Sequence, residues 1–276
     1  MPVIAMTQEM GSLGKDVALQ LADAMGLAVL RDEVAEHIAD KMHVSKSLIS
    51  RLREGKAGFV ERRTTDQRSV AVYTAEEVYT LAERGNVVIR GWGSTLLLRA
   101  VPHVVCVRVT RSFDKRVEWL KDKLGTTDTD FAADEVRRSD EAHAARMKQV
   151  FGVHWGDAVL YDMVLNTDRI SIDSCVEQIR QLAGRPEFAE TPASRAKLAN
   201  LTLEAHVRSA LKADPSTRET NVTIEADAGR VTLAGILLHA GEKDAVAQVA
   251  AAVPGVAAVD DRLRVMAGTK LFPQVR

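Results

Sequence analysis

The sequence predicts an α/β fold: a five-stranded parallel sheet with flanking helices, followed by a small α+β domain. Three observations predict it. Short apolar runs alternate with longer amphipathic stretches over residues 1–184. A glycine-containing turn joins the first apolar run to the first helical pattern, and the rhythm changes after residue 198. The length of 276 residues suits two domains, since one domain usually takes roughly 100–200.

Val3–Met6 is the first short run, and Val17, Leu21 and Met25 then recur at helical spacing. Leu27–Leu30, Asn86–Arg90, Val104–Val109 and Asp162–Asn166 supply four more strands. Helical patterns lie between and after them, at Asp32–Met42, Ser69–Arg84, Ser112–Lys123, Asp134–Val150 and Ile172–Leu182. Strands apolar on both sides and separated by helices belong to a parallel sheet covered on both faces. The stretch Gly184–Lys197 has two prolines and charge but no apolar period, so residues 185–198 read as a linker.

Beyond the linker, Leu203, Val207, Ala210 and Leu211 mark one helical face. Val222, Ile224 and Ala226 alternate as in a strand, and a turn at Asp227–Gly229 leads to Val231 and Leu233. Val246, Val249, Ala250 and Val253 give a second helix, Pro254-Gly255 stops it, and Leu263 and Val265 alternate in a last strand. Residues 199–267 therefore form helix, hairpin, helix and strand, with 268–276 as a tail.

A net charge of −1 calls for neither nucleic acid nor a membrane surface. The opening MPVIAMTQEM has no basic segment before its few apolar residues, and no later run approaches spanning length. A cytoplasmic location is expected. Cys106 and Cys175 fit no metal or redox spacing and read as small core residues, and the seven histidines show no paired metal spacing.

The chemistry concentrates in Thr7–Leu21, TQEMGSLGKDVALQL, between the first strand and the first helix. Gly11, Ser12, Leu13 and Gly14 can turn the backbone N–H groups inward, the helix N-terminus adds partial positive charge, and Lys15 can reach phosphate. Glu9 stands where the first glycine of G-x-x-x-x-G-K-[ST] belongs. Asp16 replaces the hydroxyl residue that would hold Mg²⁺ and is the candidate metal contact. Taken alone, the segment is either a phosphate loop or a glycine-rich strand-to-helix turn.

This segment resembles the opening of the cytidylate kinase-like family, roughly S-R-E-Y-G-S-G-G-R-E-I-A, which also lacks the first glycine and has an acidic residue after the basic one. Ala24–Asp40, Leu81–Arg99 and Phe151–Ile179 are similar to further segments of that family, the last through W-G-D…Y-D-x-V-L-N-T. The resemblance implies a P-loop kinase domain over residues 1–184. It implies ATP and Mg²⁺ as cofactors, a nucleotide acceptor of the CMP or dCMP type, and a mobile lid carrying arginines. Lys15 is then the phosphate-facing cation. Arg90, ending the third strand, is the candidate for the acceptor phosphate or a strand-end surface arginine. Asp32 contacts the acceptor base or sugar, or caps the helix that follows.

The sequence departs from the family in two places. The lid pattern D-K-E-R-A-R-Y is here Asp140 to Arg146, with His143 and Ala145 at the two arginine positions. Arg137, Arg138 and Arg146 are candidate substitutes, or else a solvated helix face. The G-R-G turn is Gly91-Trp92-Gly93. These departures leave two functions open, an active kinase and a degenerate nucleotide-binding sensor. Arg51–Arg68, rich in both charge signs, reads as a solvated loop or as the border of the acceptor pocket.

Leu201–Val265 resembles a BON domain through its opening L-T-L-E-x-x-V-R-x-A-L, then Asp227–Gly235 and Val253–Leu263. That resemblance implies a protein, phospholipid or small-ligand partner. The mixed surface charge favours an interaction or sensory module over a membrane anchor.

Overall fold

β1 (Val3–Gln8) is the central strand, and Val3–Thr7 are all buried because helices cover both faces of its sheet. α1 (Gly14–Met25) packs Val17, Ala18 and Leu21 onto that sheet and stops at Gly26, whose φ of 66° closes the helix. β2 (Ala28–Leu30), α2 (Asp32–Met42), α3 (Lys46–Glu54), α4 (Phe59–Thr64) and α5 (Gln67–Arg84) follow. Next come β3 (Val87–Arg90), α6 (Ser94–Leu97), β4 (Val104–Thr110), α7 (Phe113–Leu124) and α8 (Thr129–Phe151). β5 (Met163–Asn166) and α9 (Ile172–Ala183) complete the sheet layer.

The structure is a computed structural model and describes residues 1–54 and 56–266, leaving out the side chains of Glu54 and Arg62. The tail read at 268–276, and residue 267 before it, lie outside the described residues.

The five strands run in the order β2-β3-β1-β4-β5, all parallel. Val3 pairs with Val87 on one side and Val104 on the other, so the strands start nearly level. Their carboxyl ends therefore share one edge, and the loops after all five strands gather there. Ile4, Met6, Val88, Val105 and Val107 meet Leu21 and Ile179 in the main core. Cys106 and Cys175 are both buried with free thiols, and burial pushes the Cys106 thiol up to about 12.

Two segments carry more structure than their sequence predicts. Arg51–Arg68 is not a loop but the end of α3, all of α4 and the start of α5. Ile49 and Ala57 anchor it from inside, while Arg51 pairs with Glu61 at 2.5 Å and Asp66 caps α5 through the Arg68 N–H. Only a few apolar residues are needed once ion pairs and caps hold such short helices, so no periodicity announces them. Residues 185–198 form a short 3-10 turn at Pro186–Phe188 and then the opening of α10 (Pro192–Ala213). Phe188 packs against the main core, and Ser194 Oγ shares a 2.8 Å hydrogen bond with His103 Nδ1.

By compactness the chain divides into Met1–Leu198 and Ala199–Arg276. In the second unit the latter part of α10 precedes β6 (Thr223–Asp227), β7 (Arg230–Leu237), α11 (Ala240–Ala251) and β8 (Ala258–Val265). β6 and β7 are antiparallel and β8 adds parallel to β7. Ala228 and Gly229, with φ of 46° and 84°, form the two-residue hairpin turn that matches the strand twist. Val207, Leu211, Ile224, Leu233, Val246 and Leu263 fill its core. No described helix is long and apolar enough to cross a membrane.

Ile4 is fully buried in the central strand, so Ile4→Ala should lower the stability of the first unit by roughly 2–5 kcal/mol. Urea unfolding followed by circular dichroism measures it; a loss near zero would contradict the packing described.

Candidate functional site

The turn after β1 is shaped by close approaches. Gly11 has φ 78°, and a Cβ there would lie 3.1 Å from the Arg116 backbone and the Trp119 ring. A Cβ on Gly14 would lie 2.7 Å from Gln8 Cβ. Leu13 takes a left-handed φ of 60° immediately before α1. Ser12 Oγ donates to the Glu9 carbonyl at 2.8 Å, and Thr167 Oγ1 donates to the Ser12 carbonyl at 2.9 Å. The N–H groups of Leu13, Gly14 and Lys15 make no hydrogen bond among the described residues. Lys15 and Asp16 are exposed in the first turn of α1, and among the described residues neither side chain has an ion pair or hydrogen bond. Free N–H groups, a helix N-terminus and an exposed lysine are features that favour an anion.

Glu9, the residue that displaces the expected first glycine, holds this turn from beneath. Its Oε1 accepts from Arg108 Nη2 at 2.6 Å. Its Oε2 accepts from Thr110 Oγ1 at 2.6 Å and the Arg111 N–H at 3.2 Å, with Arg116 Nε at 3.7 Å. Arg108 and Arg116 are both buried. Arg116 also grips Asp140 of α8 through two bonds of 2.9 and 2.8 Å. Burial opposes its charge, but the Asp140 hydrogen bond and the charges of Asp140 and Glu9 outweigh that and raise its pKa. The chain β1–Glu9–Arg116–Asp140 thus links the turn after β1 to α8.

On the other side of β1, Arg90 ends β3 with a relative exposure of 6%. It is a buried residue, not a surface one. Its Nε and Nη2 donate to Gln8 Oε1 at 3.3 and 3.1 Å, and no described carboxylate lies within ion-pair distance. Burial first, then the nearby positive charge of Arg31, lower its pKa to about 10, against the opposing pull of Asp16 and Asp32. Asp32 does not cap α2: it is the first helical residue and makes no capping bond. Glu33 caps instead, accepting from the Arg31 N–H at 2.9 Å, because a glutamate two positions on can fold back over the helix start. The exposed Asp32 carboxylate is left open to the edge. Gly91, Trp92 and Gly93 follow Arg90 with three successive positive φ values of 76°, 59° and 71°.

α8 places the candidate lid residues elsewhere. Arg146 Nη2 donates to the carbonyls of Leu52 and Arg53 at 2.7 Å each, satisfying the end of α3, and burial lowers its pKa to about 10. Its hydrogen bonds go to α3 and none to the phosphate loop. Arg137 is exposed, paired with Asp134 at 2.9 Å and lying over the Phe113 ring at 5.1 Å; Arg138 pairs with Glu135. Ala145 is exposed. His143 lies against the Trp155 ring with centroids 4.0 Å apart. Burial pushes its pKa down to about 3, with Arg146 and Arg108 adding to the effect, so it is neutral. Trp155 in turn donates to Thr7 Oγ1 at 3.1 Å, while Arg108 sits 4.2 Å over its ring and bonds its carbonyl at 2.6 Å.

Sequence reading missed Gln8, Arg31, Arg108, Arg116 and Trp155 as parts of the site. The signal was present for Arg108 alone: it interrupts the apolar run Val104–Val109, and a charge in a strand buried on both faces needs a built partner.

Two consequences are measurable. Glu9→Ala leaves Arg108 buried without its carboxylate, and Arg116 with Asp140 alone, and should cost roughly 3–5 kcal/mol in chemical denaturation; Glu9→Gln should cost less, as it still accepts hydrogen bonds. His143, depressed from 6.5 to about 3, contributes stability that is complete above pH 6.5 and lost as pH falls toward 3. His143→Phe keeps a ring against Trp155 without taking up a proton, so its stability should fall less steeply over that window. Equal slopes for both proteins would show that His143 does not titrate in this way.

A family model described as the cytidylate kinase-like family matches residues 3–169, and the BON domain model matches 200–267. No curated protein matches the chain. An uncharacterized protein from Eubacterium ventriosum of known crystal structure is similar in fold, with a TM-score of 0.53 at 18% identity, covering 67% of this chain and all of that one. Shikimate kinases from Bacteroides thetaiotaomicron (TM-score 0.42, 15% identity, 66% and 97% covered) and Acinetobacter baumannii, the latter with shikimate (0.41, 11%, 66% and 92%), are more distant. With a five-stranded parallel sheet, a glycine turn braced by Glu9 and a family match over most of the first unit, the chain belongs to the cytidylate kinase-like family and carries a BON domain behind it.

Proposed function

We propose that the first unit is a nucleoside-monophosphate kinase, moving the γ-phosphate of ATP to an acceptor of the CMP or dCMP type. One observation carries the reading. Two cationic groups without carboxylate partners, exposed Lys15 and buried Arg90, flank the end of β1 at the carboxyl edge of the sheet. Phosphoryl transfer needs cations at the donor and acceptor phosphates more than it needs acid–base groups.

In this reading Gly11, Ser12, Leu13 and Gly14 cradle the ATP phosphates, and Lys15 neutralises charge on the transferred group. Arg90 holds the acceptor phosphate, and Asp32 meets the acceptor sugar or base. Mg²⁺ suits the site, since it binds through one or two carboxylates plus phosphate oxygens, and Asp16 is an unpaired carboxylate on the first turn of α1. The ion supplies further neutralisation of phosphate charge. Arg137, exposed on α8, is the lid cation closest to free. The BON domain localises or regulates the kinase through a protein, phospholipid or small-ligand partner.

A second reading, a nucleotide sensor that reports through its BON domain, is favoured by the state of the lid. His143 is neutral, Ala145 carries no charge, and Arg146 and Arg138 are committed to other partners. Losing one preorganised charge contact to a transition state slows a reaction by roughly 10²–10³.

A coupled assay with ATP and CMP separates the readings: turnover supports the kinase, while ATP-dependent thermal stabilisation without turnover supports the sensor. Lys15→Ala should remove the stabilisation by ATP in either case. Unchanged ATP binding in that variant would sink the phosphate-loop assignment.

A further inference from the structure

The first unit has a cleft of about 400 Å³ at the amino ends of its strands, on the edge of the sheet opposite the turn after β1. Small-molecule sites typically measure roughly 300–1,000 Å³. Pro2 precedes β1, Met25 ends α1, Ala183 ends α9 and Phe188 lies in the short turn before α10, and together they give the cleft an apolar wall. Met25, Ala183 and Phe188 also rest on the main core, so packing fixes that wall.

The charged groups around the cleft are already matched. Glu190 takes the Met1 amino group at 2.5 Å and Arg195 at 2.7 Å, and Arg180 pairs with Glu177 at 2.7 Å. An ionic ligand would have to compete with one of these pairs; a neutral one would not.

His103, just before β4, is the polar group left open. It has a relative exposure of 5%, and its Nδ1 shares a 2.8 Å hydrogen bond with Ser194 Oγ. Ser194 is itself fixed at the start of α10, where its Oγ accepts from the Thr191 N–H at 2.9 Å. The other ring nitrogen, Nε2, has no hydrogen-bond partner among the described residues. It is not sealed from solvent either, since the described buried side-chain atoms without partners are Arg111 Nε and Arg116 Nε. Nε2 therefore opens to the cleft that His103 lines. Burial above all lowers the ring's pKa from 6.5, so the imidazole is neutral near physiological pH. A hydroxyl suits a neutral imidazole nitrogen in either tautomer, because it both donates and accepts.

We infer that this cleft is a binding site for a small neutral ligand, aromatic or aliphatic in body, whose hydroxyl pairs with His103 Nε2. It lies across the sheet from the turn after β1, so its ligand is distinct from any anion which that turn takes.

The test is an NMR titration of the full chain, carrying ¹³C-methyl methionine, with phenol and with toluene, which is of similar size but lacks the hydroxyl. The Met25 methyl lies on the cleft wall, and Met147, in a separate cluster, is the reference. Phenol should shift Met25 saturably, leave Met147 in place and bind on the order of threefold to tenfold tighter than toluene, as one neutral hydrogen bond allows. His103→Asn keeps a group that can bond Ser194 but removes Nε2. It should bind the two probes alike, with toluene at its wild-type affinity, which a collapsed cleft would not permit. In the wild-type protein, the ¹⁵N resonance of His103 Nε2 should move with phenol and stay with toluene, a readout that needs no variant. Saturating ATP should leave phenol bound. Absence of a saturable Met25 shift with either probe, or displacement of phenol by ATP, refutes the site. Equal wild-type affinities, a preference that survives in His103→Asn, or an Nε2 resonance indifferent to phenol refutes the pairing with His103.

Discussion

The mostly buried carboxylate of Glu9 is the interaction on which the turn after β1 depends. It takes hydrogen bonds from β4 through Arg108 and Thr110 and from the backbone after β4 through Arg111, and it faces Arg116 of α7. A glycine at this position would free the turn but hold nothing. With glutamate there, the turn is tied to two elements on one side of β1, and Gly11 must stay a glycine because Arg116 is drawn so close. An ion pair with this little water around it gains from exchanging hydration for fixed partners only when every oxygen is occupied, and both Glu9 oxygens are.

The same network reaches α8. Arg116 divides its guanidinium between the loop side, toward Met10 and Glu9, and Asp140 on α8. Further along α8, Arg146 is spent on α3 and His143 on Trp155. α8 is therefore bound at three points along its length. Among the described residues, exposed Lys15 and buried Arg90 are cations without a carboxylate partner, Arg90 being held by the neutral Gln8 amide.

The second unit has a core of its own and follows the helix, hairpin, helix, strand order that its glycines and apolar periods foretell. Gly229 is required by a hairpin turn that needs positive φ at both central residues, and its neighbour Ala228 accepts the strain. Nothing in that framework selects a ligand, since glycines and core valines specify a fold and leave the surface free.

The five strands and their helices were legible in the sequence because doubly buried strands and amphipathic helices each impose a period on it. The tight turn after β1 was legible because Gly11, Gly14 and Lys15 lie close together in the chain. Arg51–Arg68 and 185–198 were not legible as helical, since ion pairs and caps hold them with few apolar residues. The roles of Glu9, Arg108 and Arg146 were decided only by the tertiary structure. Their partners lie about 40 to 100 residues away, Glu9 bonding Arg108 and Arg146 reaching Leu52. A side chain's charge is written in the sequence, but whether that charge is free or spent depends on which distant group the fold brings within 3 Å.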